Sequence, residues 1–396
     1  GQVDGLRVDH VDGLRDPLVY LQRLREEAPE CWILVEKILA PDEPLPLEWP
    51  VAGTTGYEFA AHAGGLFVDP AGEEPLTRLY TAFSGVEEGY DEIVRQRKRR
   101  VLGEMFGDEV RRLTALLGEI AQRHRRYRDL GETEQREALQ EYLANLSVYR
   151  TYVRPWTGEV NQRDAAVIEE ALARAEEQRP DLQERVWRLL RHILLLEWQG
   201  ILEGEFALRS QQLSGAVTAT GVENTSFYVY NRLVALNEVG AEPDRFGVSP
   251  EDFHAYCQGV QTAWPQTMLT TSTHDTKRGE DVRARLYLLS EIPAAWAEAV
   301  GRWAAHNERH RRDDLPDRNA EYLLYQTLVG AWPIDAERLR DYMLKAAHEA
   351  KECTSWRAPD DEYDAVLGAF CDALLGDREF VADLEAFVEP LVAPGR

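Results

Sequence analysis

Apolar and polar positions recur along this chain with two different periods, and the switches between them divide it. Residues 4–9 (DGLRVD) alternate with period two, which predicts a short strand. Residues 16–29 (DPLVYLQRLREEAP) carry apolar side chains every three or four positions. Asp16 is placed to cap that helix, Pro17 sits in its first turn and Pro29 stops it. CWILVEKIL (31–39) reads as a second, buried strand, so strand, helix and strand predict a right-handed parallel unit. The following stretch, 40–59, holds four prolines and reads as a long loop, of the kind that usually carries function. From 74 to 210 the helical period prevails, as in DAAVIEEALARAEEQ, and the basic run RQRKRR at 95–100 reads as a solvated helix face. Strand-like runs return at 214–221 (SGAVTATG) and 267–275 (TMLTTSTHD), with a helix starting near Pro250 between them, and beyond Arg278 the pattern is helical to the end. Four parallel strands interrupted by helices predict part of a barrel or an open α/β sheet.

Composition narrows the partners. Charged residues make up 29% of the chain and no apolar run is long enough to span a bilayer, which predicts a globular protein with no membrane partner. A formal charge of -25 repels phosphate backbones, so nucleic acid is excluded as a partner and a neutral substrate is favoured. Cys31, Cys257, Cys353 and Cys371 lie far apart, as free thiols in a reducing cytosol would, and a cytoplasmic location is expected. No metal-ligand spacing stands out and no cofactor is implied.

The chemistry gathers where the predicted strands end. Asp9, Glu36 and Asp275 fall at the C-terminal ends of three of them, the rim on which catalytic side chains converge in a β/α barrel. Arg7 shares a strand face with Asp9 and is placed to keep that carboxylate ionised, while the apolar run before Glu36 favours its protonated form. One charged and one protonated carboxyl suit retaining glycosidic chemistry, in which the two lie about 5 Å apart. The same spacing equally fits a buried Arg7–Asp9 ion pair and a surface Glu36–Lys37 pair. Trp49 and Tyr57, in the long loop, could stack on sugar faces or pack in a core.

The strings GLRVDH, VEKIL and STHD resemble the fourth-, fifth- and seventh-strand motifs of the α-amylase superfamily. Longer strings, RVDHVDGLRDP, LPLEWPVAGTTGYEF, GVENTSFYVYNRLVALNEVG and STHDTKRGEDVRARLYLLSE, are similar to its maltooligosyltrehalose synthase family. The resemblance implies that Asp9 is the nucleophile, Glu36 the acid/base and Asp275 the transition-state stabiliser. It further implies that Arg7, His10, His274, Lys277 and Arg278, with Trp49 and Tyr57, bind the sugar. The implied fold is a partial (β/α)8 TIM-type barrel, strands four to seven, with large all-helical insertions. Its segments are 1–73 (strands four and five with the active-site loop), 74–210 (helical insertion), 211–300 (strands six and seven) and 301–396 (helical).

The implied activity is intramolecular transglycosylation of a malto-oligosaccharide or α-1,4-glucan, an isomerase reaction of trehalose biosynthesis. A hydrolase of the same superfamily and a non-catalytic carbohydrate-binding fragment are the alternatives. The family pattern has lysine and aspartate where Thr220 and Asn224 stand, which implies altered contacts there. Because GLRVDH opens the chain, a middle fragment is expected, inactive alone or completed by missing barrel segments.

Overall fold

The computed structural model describes residues 3–395, and the chain divides into two compact units. Unit 1 comprises 1–55, 94–222 and 263–268, and unit 2 comprises 56–93, 223–262 and 269–396. The chain is mostly helical with one small parallel sheet.

The sheet lies in unit 1. Strand β1 (Gly5–Val8) leads through helix α1 (Pro17–Glu27) to β2 (Trp32–Val35), which pairs with it in parallel from Gly5↔Trp32 to Val8↔Val35. The local signals act as expected: Asp16 accepts from the Val19 N–H at 3.1 Å, and Pro17, which has no N–H to offer, takes the first turn. A third parallel strand, β3 (Gly53–Thr54), pairs with the end of β2 and was hidden in the long loop by its length of two residues. Gly53, at φ 149°, lets Thr267 approach so closely that a Cβ would lie 2.1 Å from its hydroxyl, and that hydroxyl accepts from Thr54 N–H at 3.0 Å.

The other two predicted strands are absent. SGAVTATG is the end of helix Ile201–Thr218 and the start of a π-helix, Ala219–Ser226. That helix is buried over most of its surface, Leu208, Leu213, Ser214 and Val217 included, so its β-branched residues follow tertiary burial and not their alternation. In TMLTTSTHD the hydroxyls bond their own backbone: Thr270 to Ser272 O at 2.6 Å, and Thr273 from Asp275 N–H at 3.1 Å. Such bonds offer the chain turns in place of a ladder.

The helical block of unit 1 packs around Ile120, Leu139, Leu143, Ile168, Val186, Leu190 and Phe206. RQRKRR is not a solvated face: Lys98 is buried, donating to Leu146 O at 2.8 Å, and Arg95 and Arg99 reach Glu141. Unit 2 has its own aromatic core, in which Trp303 meets Tyr325 at 5.4 Å and Trp296 at 5.8 Å. Helix Pro250–Ala263 and the helices after Arg278 stand where the sequence predicts them.

In unit 1, Asn161 caps helix Gln162–Gln178, and Asp164 accepts from Tyr152 N–H at 3.0 Å. Burial pushes the Asp164 carboxyl up to about 6. Its pKa therefore lies above the unfolded value, so the folded chain binds a proton more readily than the unfolded one. This group's cost is full above pH 6 and fades as pH falls toward the unfolded pKa. Asp164→Asn, which keeps an acceptor without the charge, is expected to stabilise the chain by about 1–3 kcal/mol at pH 7.5. Urea unfolding at pH 7.5 and 4.5 should show that advantage shrinking at the lower pH.

Candidate active site

Ladder register decides which acids meet. Val8 and Val35 are the last paired residues of β1 and β2, and Glu36 N–H donates to Val8 O at 2.8 Å, so Asp9 and Glu36 leave adjacent strands side by side. Arg7 joins them: one guanidinium nitrogen lies 2.7 Å from Asp9 Oδ1, the other 3.0 Å from Glu36 Oε1. The guanidinium holds the Asp9 carboxyl below the usual carboxylate range, against the small push of burial, and a hydrogen bond with Glu36 adds to the lowering. This is no buried ion pair, because the Asp9 side chain is 71% exposed.

His10 takes a left-handed conformation, φ 44°, and its N–H donates to Glu36 Oε2 at 2.6 Å. Gly13 leaves room for the His10 ring to fold back, since a Cβ there would lie 2.4 Å from it. The imidazole is exposed beside the acids.

Behind the pair lies a set of residues that the sequence reading missed. Lys37 has no exposed surface and is no surface partner of Glu36; its Nζ meets Asp12 at 3.1 Å, Glu43 at 3.2 Å and Ile38 O at 2.8 Å. Burial pulls its pKa down, but Asp12 and Glu43 more than offset this, and it stands above the ordinary lysine value. Tyr152 donates its hydroxyl to Asp12, and Arg150 donates to the carbonyls of Asp12, Leu14 and Arg15. The signal was a lysine inside an apolar run, VEKIL, which must find carboxylates if it is buried. Trp49 belongs to this packing: 3% exposed, it meets Tyr152 edge-on at 5.2 Å. The core alternative, not an open stacking platform, describes it.

Unit 2 contains the remaining predicted residues. Asp275 stands on a turn, not at a strand end, and accepts the Tyr57 hydroxyl at 2.6 Å. Tyr57 opens helix α2 (Tyr57–Gly65) and is 1% exposed, so it holds the carboxylate and has no ring face free to stack. His274 is exposed, its Nε2 3.4 Å from Asp275. Glu238, raised by burial, accepts the N–H groups of Lys277 and Arg278 at 2.7 Å each. Lys277 Nζ reaches Asn224 Oδ1 at 3.3 Å, and burial lowers its pKa. Arg278 is buried, donating to Val234 O and to the Tyr342 hydroxyl at 2.8 Å, and so braces the turn instead of facing a ligand. Thr220 and Asn224 both fall in the π-helix.

No family model matches the sequence. The maltooligosyltrehalose synthase of Arthrobacter ramosus is 38% identical with a TM-score of 0.88, over 99% of this chain and 48% of that one. The chain is similar to maltooligosyltrehalose synthases. The DSM5389 glycosyltrehalose synthase is 35% identical, TM-score 0.80, over 99% of this chain and 47% of its own. A Mycobacterium tuberculosis protein provisionally named maltooligosyl trehalose synthase is 38% identical over 399 residues. The chain spans about half the length of these relatives. The likeness to maltooligosyltrehalose synthases therefore extends over nearly all of the chain, including both strands that carry the acid pair.

Removing one member of the buried cluster leaves the others charged and dry. Lys37→Met is expected to destabilise the chain by about 3–5 kcal/mol. Urea unfolding measures this, and a loss below about 1 kcal/mol would show that water reaches Asp12 and Glu43.

Proposed function

We propose that this chain carries the acid pair of an isomerase that converts the reducing-end α-1,4 bond of a malto-oligosaccharide into an α,α-1,1 bond. One observation supports this above all: Arg7 clamps two carboxyls at neighbouring parallel strand ends, on a chain similar throughout to maltooligosyltrehalose synthases. On this reading β1 and β2 are the fourth and fifth strands of a (β/α)8 barrel. Malto-oligosaccharide is the substrate, and the protein is cytoplasmic.

The chemistry follows from the charge states. Asp9, kept ionised by Arg7, attacks the anomeric carbon of the penultimate glucose; the glycosidic C–O bond breaks, and Glu36 gives its proton to the departing oxygen. A glycosyl ester on Asp9 and one glucose result. Glu36 then takes the proton of that glucose's anomeric hydroxyl, its oxygen attacks the anomeric carbon of the glycosyl ester, and the bond from that carbon to the Asp9 carboxylate breaks. Atoms balance without water, so the site must exclude water or become a hydrolase. The role of Asp275, charge stabilisation at the transition state, rests on the resemblance of the STHD string; the Tyr57 hydroxyl would fix its orientation.

Incubation with maltopentaose tests the proposal. Isomerisation lowers the reducing-end count without releasing glucose, whereas hydrolysis raises it. Asp9→Asn is expected to slow turnover by about 10³-fold or more. Oligosaccharide binding with no turnover in either form would replace the proposal with a binding role.

A further inference from the structure

Unit 1 contains a cavity of about 740 Å³ that neither Asp9 nor Glu36 lines. Its size is that of a small-ligand pocket, roughly 300–1,000 Å³. Buried Trp49 and half-buried Tyr152 contribute to its wall, and Trp156, 48% exposed, stands at its edge with the Arg154 guanidinium 5.8 Å from the ring centre. The open Trp156 indole gives the edge of the cavity a flat apolar surface.

The polar lining specifies what kind. Arg154 pairs with Asp16 at 3.4 Å and Glu159 at 3.3 Å, and the four arginines of the lining face five carboxylates, so no strong charge of either sign is left over to demand an ionic ligand. Yet Arg154 Nε is buried without a hydrogen-bond partner, and the carboxylates keep acceptor lone pairs. An aromatic face beside balanced donors and acceptors fits a neutral molecule that is apolar on one side and rich in hydroxyls at its edge. A glucosyl ring is such a molecule, and the charge of -25 disfavours an anion.

We propose that this cavity is a second binding site for α-1,4-glucan chains, with Trp156 as its platform and Arg154 and Glu159 as its hydroxyl partners. The ligand class rests on the proposed function; the site does not. Either a separate chain or the far end of the chain held at the acid pair could fill it.

The test is calorimetric titration of the full chain carrying Asp9→Asn, which blocks turnover, with maltoheptaose and with maltotriose. Trp156→Ala in that background is expected to weaken maltoheptaose binding at the cavity at least fivefold, and Trp156→Phe, which keeps a ring, to restore most of it. Two maltoheptaose per chain, falling to one with Trp156→Ala, identifies separate chains; one per chain, with maltotriose unaffected by Trp156→Ala, identifies a single spanning chain. Unchanged titration in Trp156→Ala overturns the second site while leaving the isomerase proposal intact. Trp156-dependent binding, together with no turnover of maltopentaose by the chain that retains Asp9, keeps the site and sinks the isomerase. No maltoheptaose binding at all overturns both.

Discussion

A lysine ammonium sealed from water governs the region around the acid pair. Lys37 follows Glu36 directly, and its chain position beyond β2 turns it inward while Glu36 faces Asp9. An isolated buried ammonium is too unfavourable to persist, so Asp12 and Glu43 must come to it. Asp12 ties down the turn after Asp9, and Glu43 ties down the loop after Glu36, accepting from Ala40 N–H at 2.9 Å. Each catalytic candidate thus sits on a segment anchored to one charge, and Arg150 and Tyr152 extend the anchorage into the helical block.

Local signals were legible where local physics decides. Asp16 with Pro17 marks the start of α1, and the apolar run WILV becomes β2. The carboxyls of Asp9 and Glu36 could be placed together because strand polarity and register put them there. What was not legible depends on distant contacts. The Val217–Thr220 region alternates like a strand but is helical, continuing a helix that is buried over most of its surface, and the threonines before Asp275 satisfy their own backbone. No local pattern announces that Lys37 meets Asp12 and Glu43, or that Tyr57 bonds Asp275 across more than two hundred residues. Periodicity misplaced Asp275 on a strand, whereas it lies on a turn.

The two halves of the acid pair are held differently. Asp9 is open to solvent and depends on Arg7, whereas Glu36 is mostly covered and takes a second bond from the His10 amide. A backbone donor is fixed by the turn that carries it and cannot swing away as a guanidinium can. The group proposed to shuttle a proton is therefore the rigid one, and the group proposed to form and break a bond has freedom to move toward a carbon.

This asymmetry separates the influences of dissolved ions. Counterions can collect around the open Arg7–Asp9 contact and weaken its field, while the dry cluster at Lys37 lies beyond their reach. Ionic strength should therefore tune the charge on the front of the pair and leave the scaffold behind it standing.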